Sequence, residues 1–148
     1  MTRRLAFTLA IVAGLLSSSG FSASAAEPSA NLAALIAAYA AEYCLPEELL
    51  HRVIERESNY NVAIYHRGHW GLMQIKYATA KSMGYRGPAE GLLNPEINLK
   101  YGGKYLAGAY LVAGGNADRA LRLYARGYYY DAKRRGLLEE TGLKATKK

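Results

Sequence analysis

The chain has 148 residues, a formal charge of +7 and one cysteine. Setting aside a removable leader of 26 residues leaves enough chain for one packed core and too little for two domains. One cysteine excludes an internal disulfide framework. Loss of Arg3 and Arg4 with the leader takes the charge from +7 to +5, an excess that suits approach to an anionic polymer and equally suits plain solubility.

Taken in chain order, the first segment is that leader. Met-Thr-Arg-Arg is followed by an apolar run from Leu5 to Leu16 and by "SSSGFSASAAEPS". A basic start, a short apolar stretch and an Ala-x-Ala-like site predict a secretory signal over 1–26, cut after Ala25 or Ala26. The apolar run is short for a membrane span; an uncleaved anchor is the alternative. Residues 31–43 have apolar side chains on all sides and predict a helix. Cys44 follows, expected as a buried thiol acting as a small hydrophobe. Pro46 opens a second helix, with Glu47 and Glu48 at its positive end.

Residues 59–71 read as loop. "GLMQIKYATAKSMG" predicts a third helix ended by Gly84, and "GYRGPAEGLLNP" a loop. Asn94 and Pro95 form an N-cap and first-turn pair for a long helix from Glu96 to about Ala113. Its Gly102, Gly103 and Gly108 mark close approach of another element. "GGN" at 114–116 breaks the chain, and Asn116 caps a helix to about Arg126. Residues 137–148 read as a basic, flexible tail. No alternating run is long enough for a sheet. The expected architecture is all-α, one domain over 27–136 of about five to seven short helices. Both Phe fall in the leader, so the domain's aromatic rings are Trp70 and 13 Tyr. Most of these Tyr are expected to pack with hydroxyls reaching the surface.

On a helix, Leu50, Val53, Ile54 and Glu57 share one face. Glu57 thus continues an apolar stripe, while Glu55 points away and needs no explanation. Burial raises a carboxyl pKa, and a carboxylic acid kept protonated is what a general acid requires. A Glu capping or pairing inside the core is the structural alternative. Most glycosidases need a second carboxylate. Residues 58–89 contain no Asp or Glu; Glu90 is the nearest downstream, and Asp118 and Asp131 come late. That spacing favours a mechanism with one acid, in which the substrate supplies its own nucleophile.

Four stretches, "ERESNYN", "GLMQI" at 71–75, "NPEINLKYGGKYL" at 94–106 and "ALRLYARG" at 120–127, together resemble the family 1 (soluble-transglycosylase-like) lytic transglycosylases. The resemblance spans residues 45–127. It implies a lysozyme-like helical fold with a peptidoglycan groove, and non-hydrolytic cleavage between N-acetylmuramic acid and N-acetylglucosamine to a 1,6-anhydro end. It implies Glu57 as the catalytic acid and base, followed by the Ser58 of the family's Glu-Ser pair. Gly71, Leu72, Met73 and Gln74 match groove-lining positions, with Met73 under a sugar and Gln74 bonded to one. Asn94, Pro95, Asn98 and Gly102 match the entry to the long helix. Tyr124 matches a Tyr whose hydroxyl approaches the carboxylate.

The resemblance also implies no cofactor, a periplasmic setting and a monomer, with a secretion or conjugation apparatus as a partner. This chain departs from it at Ala125, where the family has Asn, and before Gly71, where Tyr65, His66, His69 and Trp70 form a bulkier and more basic wall. Tyr65 and Trp70 are candidate sugar contacts. His66 and His69 lack a third ligand and make a poor metal site. "GYYYDAKRRG" mixes Tyr with Lys133, Arg134 and Arg135; export argues against nucleic acid as its partner. A hydrolytic muramidase using Glu90 or Asp131, and a non-catalytic wall-binding protein, are the rival readings.

Overall fold

A computed structural model describes residues 27–144; the expected leader lies outside the described residues. Among the described residues six α-helices follow one another: α1 Ala30–Glu42, α2 Glu47–Ser58, α3 Tyr77–Ser82, α4 Pro95–Val112, α5 Ala117–Arg126 and α6 Tyr129–Arg134. A 3-10 turn spans Ala89–Leu93. Three two-residue strands, β1 Tyr65–His66, β2 His69–Trp70 and β3 Ile75–Lys76, form an antiparallel sheet in the order β1-β2-β3. No helix among the described residues is long and apolar enough to cross a membrane.

The helix starts follow the side chains available. Asn94 Oδ1 accepts from the N–H groups of Glu96 and Ile97, with Pro95 in the first turn. Asn116 Oδ1 accepts from Arg119 N–H at 2.8 Å, and Ser29 caps α1 in the same way. These side chains satisfy donors that a helix start leaves open. Pro46 sits one position earlier than expected, as the N-cap of α2.

Two apolar clusters result. The larger joins Ile36 and Ala40 of α1, Leu50, Val53 and Ile54 of α2, Leu99, Leu106 and Ala109 of α4, Leu123 and Tyr124 of α5, and Tyr128 and Ala132 at α6. The smaller holds Ile75, Ala80, Tyr85 and Leu92, under the sheet, α3 and the 3-10 turn. Gly102 and Gly103 let α4 meet its neighbours: a Cβ on Gly102 would lie 2.6 Å from Met73 Sδ, and one on Gly103 3.0 Å from the Tyr43 ring.

Four expectations need correction. The helix expected from Gly71 begins only at Tyr77. Gly71 and Gln74 are left-handed, with φ of +64° and +46°, and the four residues between Trp70 and Ile75 form turns. The loop expected over 59–71 carries two of the short strands. Cys44 is exposed, because the chain turns left-handed there at φ +52° as it leaves α1. The tail expected to be free from residue 137 instead packs back. Leu137, Leu138 and Leu143 lie against the larger cluster, and Thr141 is buried with its hydroxyl donating to Leu137 O at 2.7 Å.

Three of the tyrosines, Tyr85, Tyr124 and Tyr128, are buried. The hydroxyls of Tyr43, Tyr77, Tyr85, Tyr124 and Tyr128 each donate to a backbone carbonyl, of Lys100, Gly87, Pro88, Met73 and Tyr105 respectively. The rings fill space while their polar ends satisfy carbonyls outside regular ladders.

Candidate active site

The two clusters face each other across a cleft of about 350 Å³. Arg56 and Glu57 from the end of α2, Tyr105 from α4 and Tyr124 to Gly127 from the end of α5 form one side. His69, Gln74, Ile75, Lys76 and Thr79 from the sheet and α3 form the other.

Glu57 arrives there because α2 runs out of core. Leu50, Val53 and Ile54 are fully buried. Glu57 is the next residue on their stripe and keeps 23 % of its side chain exposed. Ser58 Oγ donates back to Ile54 O at 3.1 Å, and Asn59 and Tyr60 turn left-handed to take the chain away. Burial raises the Glu57 pKa above the ordinary carboxyl value; Arg56, with Nε 3.9 Å from Oε1, and then His69 pull it down. Burial prevails, the direction that keeps a carboxyl protonated.

Tyr124 lies buried beside the carboxyl. Burial first, and then the Glu57 charge, push its pKa well above the usual phenol value. Its hydroxyl donates to Met73 O at 2.7 Å. That hydroxyl is thus committed to the Met73 carbonyl. Tyr105 packs on it with ring centroids 5.4 Å apart and also lines the cleft.

Asn98 sets the opposite lip. It is fully buried. Its Oδ1 accepts from Met73 N–H at 2.8 Å, and its Nδ2 donates to Trp70 O and Leu92 O, both at 2.7 Å. A Cβ on Gly71 would stand 2.5 Å from Asn98 Nδ2, so only glycine fits against this clamp. The clamp turns Gln74 toward the cleft, where its Nε2 donates to Ile64 O and Gly71 O.

Of the residues singled out by sequence, Glu57, Tyr124 and Gln74 line the cleft together. Gly71, Leu72 and Met73 are buried beneath it; Met73 packs on Gly102 as core and is not open to a ligand in this conformation. Ser58 turns back to its own helix. Tyr65 and Trp70 pack together on the hairpin with ring centroids 4.2 Å apart and planes tilted by 44°, and Tyr65 is 55 % exposed. They stand beside His69, outside the immediate wall. Ala125 lines the cleft, so the missing Asn leaves its place at the wall.

Sequence reasoning missed Arg56, Lys76, Thr79, Tyr105 and Arg126. Arg126 was the most readable, two residues past Tyr124 at the helix end. Glu90 and Asp131 are not part of the wall. Asp131 accepts from Arg126 and Arg134 at 3.0 and 2.9 Å and braces α5 to α6. Among the described residues no group of three or more His, Cys, Asp or Glu could hold a metal ion.

No solved structure matches the chain. The family model of the transglycosylase SLT domain matches residues 34–140, which reaches past Arg126 into the segment that packs back on the core. The chain belongs to the transglycosylase SLT domain family, whose lytic transglycosylase-type function is directed at peptidoglycan.

Proposed function

We propose that the chain is an exported peptidoglycan lytic transglycosylase in which Glu57 serves alone as acid and then as base. The observation that supports this most is that Glu57 is the single carboxylate among the residues lining the cleft. A hydrolase with two carboxylates would need a second one across the scissile bond, and Glu90 and Asp131 lie elsewhere.

The Glu57 carboxyl donates its proton to the glycosidic oxygen, and the bond from C1 of N-acetylmuramic acid to that oxygen breaks. N-acetylglucosamine leaves with the new hydroxyl. Positive charge develops at C1 beside the Glu57 carboxylate. The C6 hydroxyl of the same muramic residue then attacks C1 and returns its proton to Glu57. The product carries a 1,6-anhydro ring, no water is consumed, and the acid is restored. A raised pKa favours the first step; Arg56 and His69 stabilise the carboxylate that exists between the two.

Gln74 offers its amide Oε1 to a sugar, and the paired rings of Tyr65 and Trp70 offer an aromatic surface beside the cleft. Ser58 and Tyr124 act by position, the first by shaping the end of α2 and the second by desolvating Glu57. Peptidoglycan lies outside the cytoplasmic membrane, and the leader-like sequence of residues 1–26 supports a periplasmic setting.

Mass spectrometry of fragments released from peptidoglycan tests the reading. Anhydro ends, lighter than reducing ends by one water, are expected from the wild type and not from Glu57→Gln. Reducing ends would mean hydrolysis, and full activity in Glu57→Gln would remove the assigned acid.

A further inference from the structure

The cleft is charged in one direction. Arg56, His69, Lys76 and Arg126 line it against the one carboxylate of Glu57. Two of the three Lys and Arg side chains are already engaged. Arg56 lies beside Glu57, and Arg126 is held by Asp131 at 3.0 Å. Lys76 forms no ion pair among the described residues.

Its placement follows from the strand. Ile75 turns into the smaller cluster, so Lys76 turns out, and α3 begins at the next residue. Thr79, one helical turn on, lines the same wall. A glycan of N-acetylated sugars is neutral and gives an ammonium group nothing to pair with. A carboxylate on the bound strand would do so, and would also offset the charge of the wall.

We infer that Lys76 determines specificity by pairing with a carboxylate carried on the muramic acid side of the substrate, in its lactyl group or in the peptide attached there. The enzyme then prefers carboxylate-bearing strands to neutral ones. This rests on the function proposed above.

The test compares three preparations of soluble glycan strands: peptide-bearing, amidase-stripped so that only the lactyl carboxylate remains, and carbodiimide-amidated so that no carboxylate remains. The wild type is expected to show a KM about two- to five-fold higher on amidated than on peptide-bearing strands, the range of one partly exposed ion pair. That advantage shrinks as salt rises. Lys76→Ala loses the discrimination, with the change falling on KM more than on kcat, and Lys76→Arg keeps it. If stripped strands behave like peptide-bearing ones, the freed lactyl carboxylate and a peptide carboxylate serve Lys76 equally, since the lactyl carboxyl is an amide while the peptide is attached. If stripped strands behave like amidated ones, the peptide supplies the partner. A wild type indifferent to amidation, or a Lys76→Ala variant that retains the preference, overturns the inference while leaving the reaction intact. Absence of anhydro products from all three strands would remove the underlying reading and this inference with it.

Discussion

Replacing Asn98 by Ala removes the clamp on the 71–74 turns. Three backbone groups lose their partners: Met73 N–H, Trp70 C=O and Leu92 C=O, now bonded at 2.8, 2.7 and 2.7 Å. Asn98 is fully buried, so water cannot replace it without the site opening. Each buried group left unsatisfied costs about 1–3 kcal/mol, and partial relaxation keeps the total below the sum, at about 3–5 kcal/mol. For a domain of this size that is a fall in Tm of roughly 10–20 °C. Urea and thermal unfolding measure both. Asn98→Asp separates hydrogen bonding from shape, because an ionised carboxylate can accept from Met73 N–H but faces two carbonyls with no proton to give. Burial and those carbonyls raise its pKa, so the Asp variant should be least stable above that pKa and recover partly as pH falls and the carboxyl gains a donor. A loss under ~1 kcal/mol for Asn98→Ala, with Gln74 and the cleft undisturbed, would refute the clamp.

Further outcomes follow from the same geometry. Gly102→Ala gains about 1 kcal/mol of helix propensity but places a Cβ 2.6 Å from Met73 Sδ and 3.0 Å from Met73 Cβ. Met73 is fully buried and cannot swing clear, so a net loss of about 1–2 kcal/mol is expected in urea unfolding. Glu57→Gln should lower kcat by about 10²–10⁴-fold in a turnover assay, the usual contribution of a positioned acid. Because burial raises the Glu57 pKa, the folded chain binds that proton more tightly than the unfolded chain does. The penalty is absent below the unfolded pKa and full above the folded one. Melting curves across pH should therefore show Glu57→Gln at least as stable as wild type at neutral pH, with its advantage fading toward the ordinary carboxyl range; a less stable variant at neutral pH would contradict this. Arg56→Gln removes the nearer of the two groups that lower the Glu57 pKa, so the alkaline limb of the kcat/KM profile should move to higher pH, and an unmoved or lowered limb would refute the coupling.

What the sequence made legible was local. The helix starts at Asn94 and Asn116 are decided by side chains within three residues of the groups they cap. The Glu57 position is decided by a stripe within one helix. The 71–74 turns could not be read this way. The residues after Gly71 have helix-like composition, and the side chain that prevents a helix there is Asn98, 25 residues from Met73. Met73 and Leu72 looked like groove residues by resemblance; only the packing of α4, open at Gly102, shows that they lie under the wall. The segment from Leu137 reads as polar and basic by composition, yet its few leucines suffice to seat it once α4 and α6 offer a surface. The residue type of Cys44 suggests burial, and the left-handed turn that exposes it is a matter of how α1 must end.

The acid illustrates why local legibility reached the chemistry. A general acid must be desolvated enough to hold its proton and open enough to deliver it. On α2 those requirements are met by one step along a stripe, from fully buried Ile54 to half-buried Glu57. Tyr124 could have undone this. A phenol hydroxyl donating to the carboxylate would favour the ionised form and lower the pKa. Instead that hydroxyl is committed to Met73 O at 2.7 Å, and the same Met73 is fixed through its N–H by Asn98. The clamp that shapes the sheet side of the cleft thus also fixes the carbonyl that takes the Tyr124 proton. Loosening it frees a hydroxyl to turn toward the acid, so damage at Asn98 should reach the protonation of Glu57 as well as the stability of the fold.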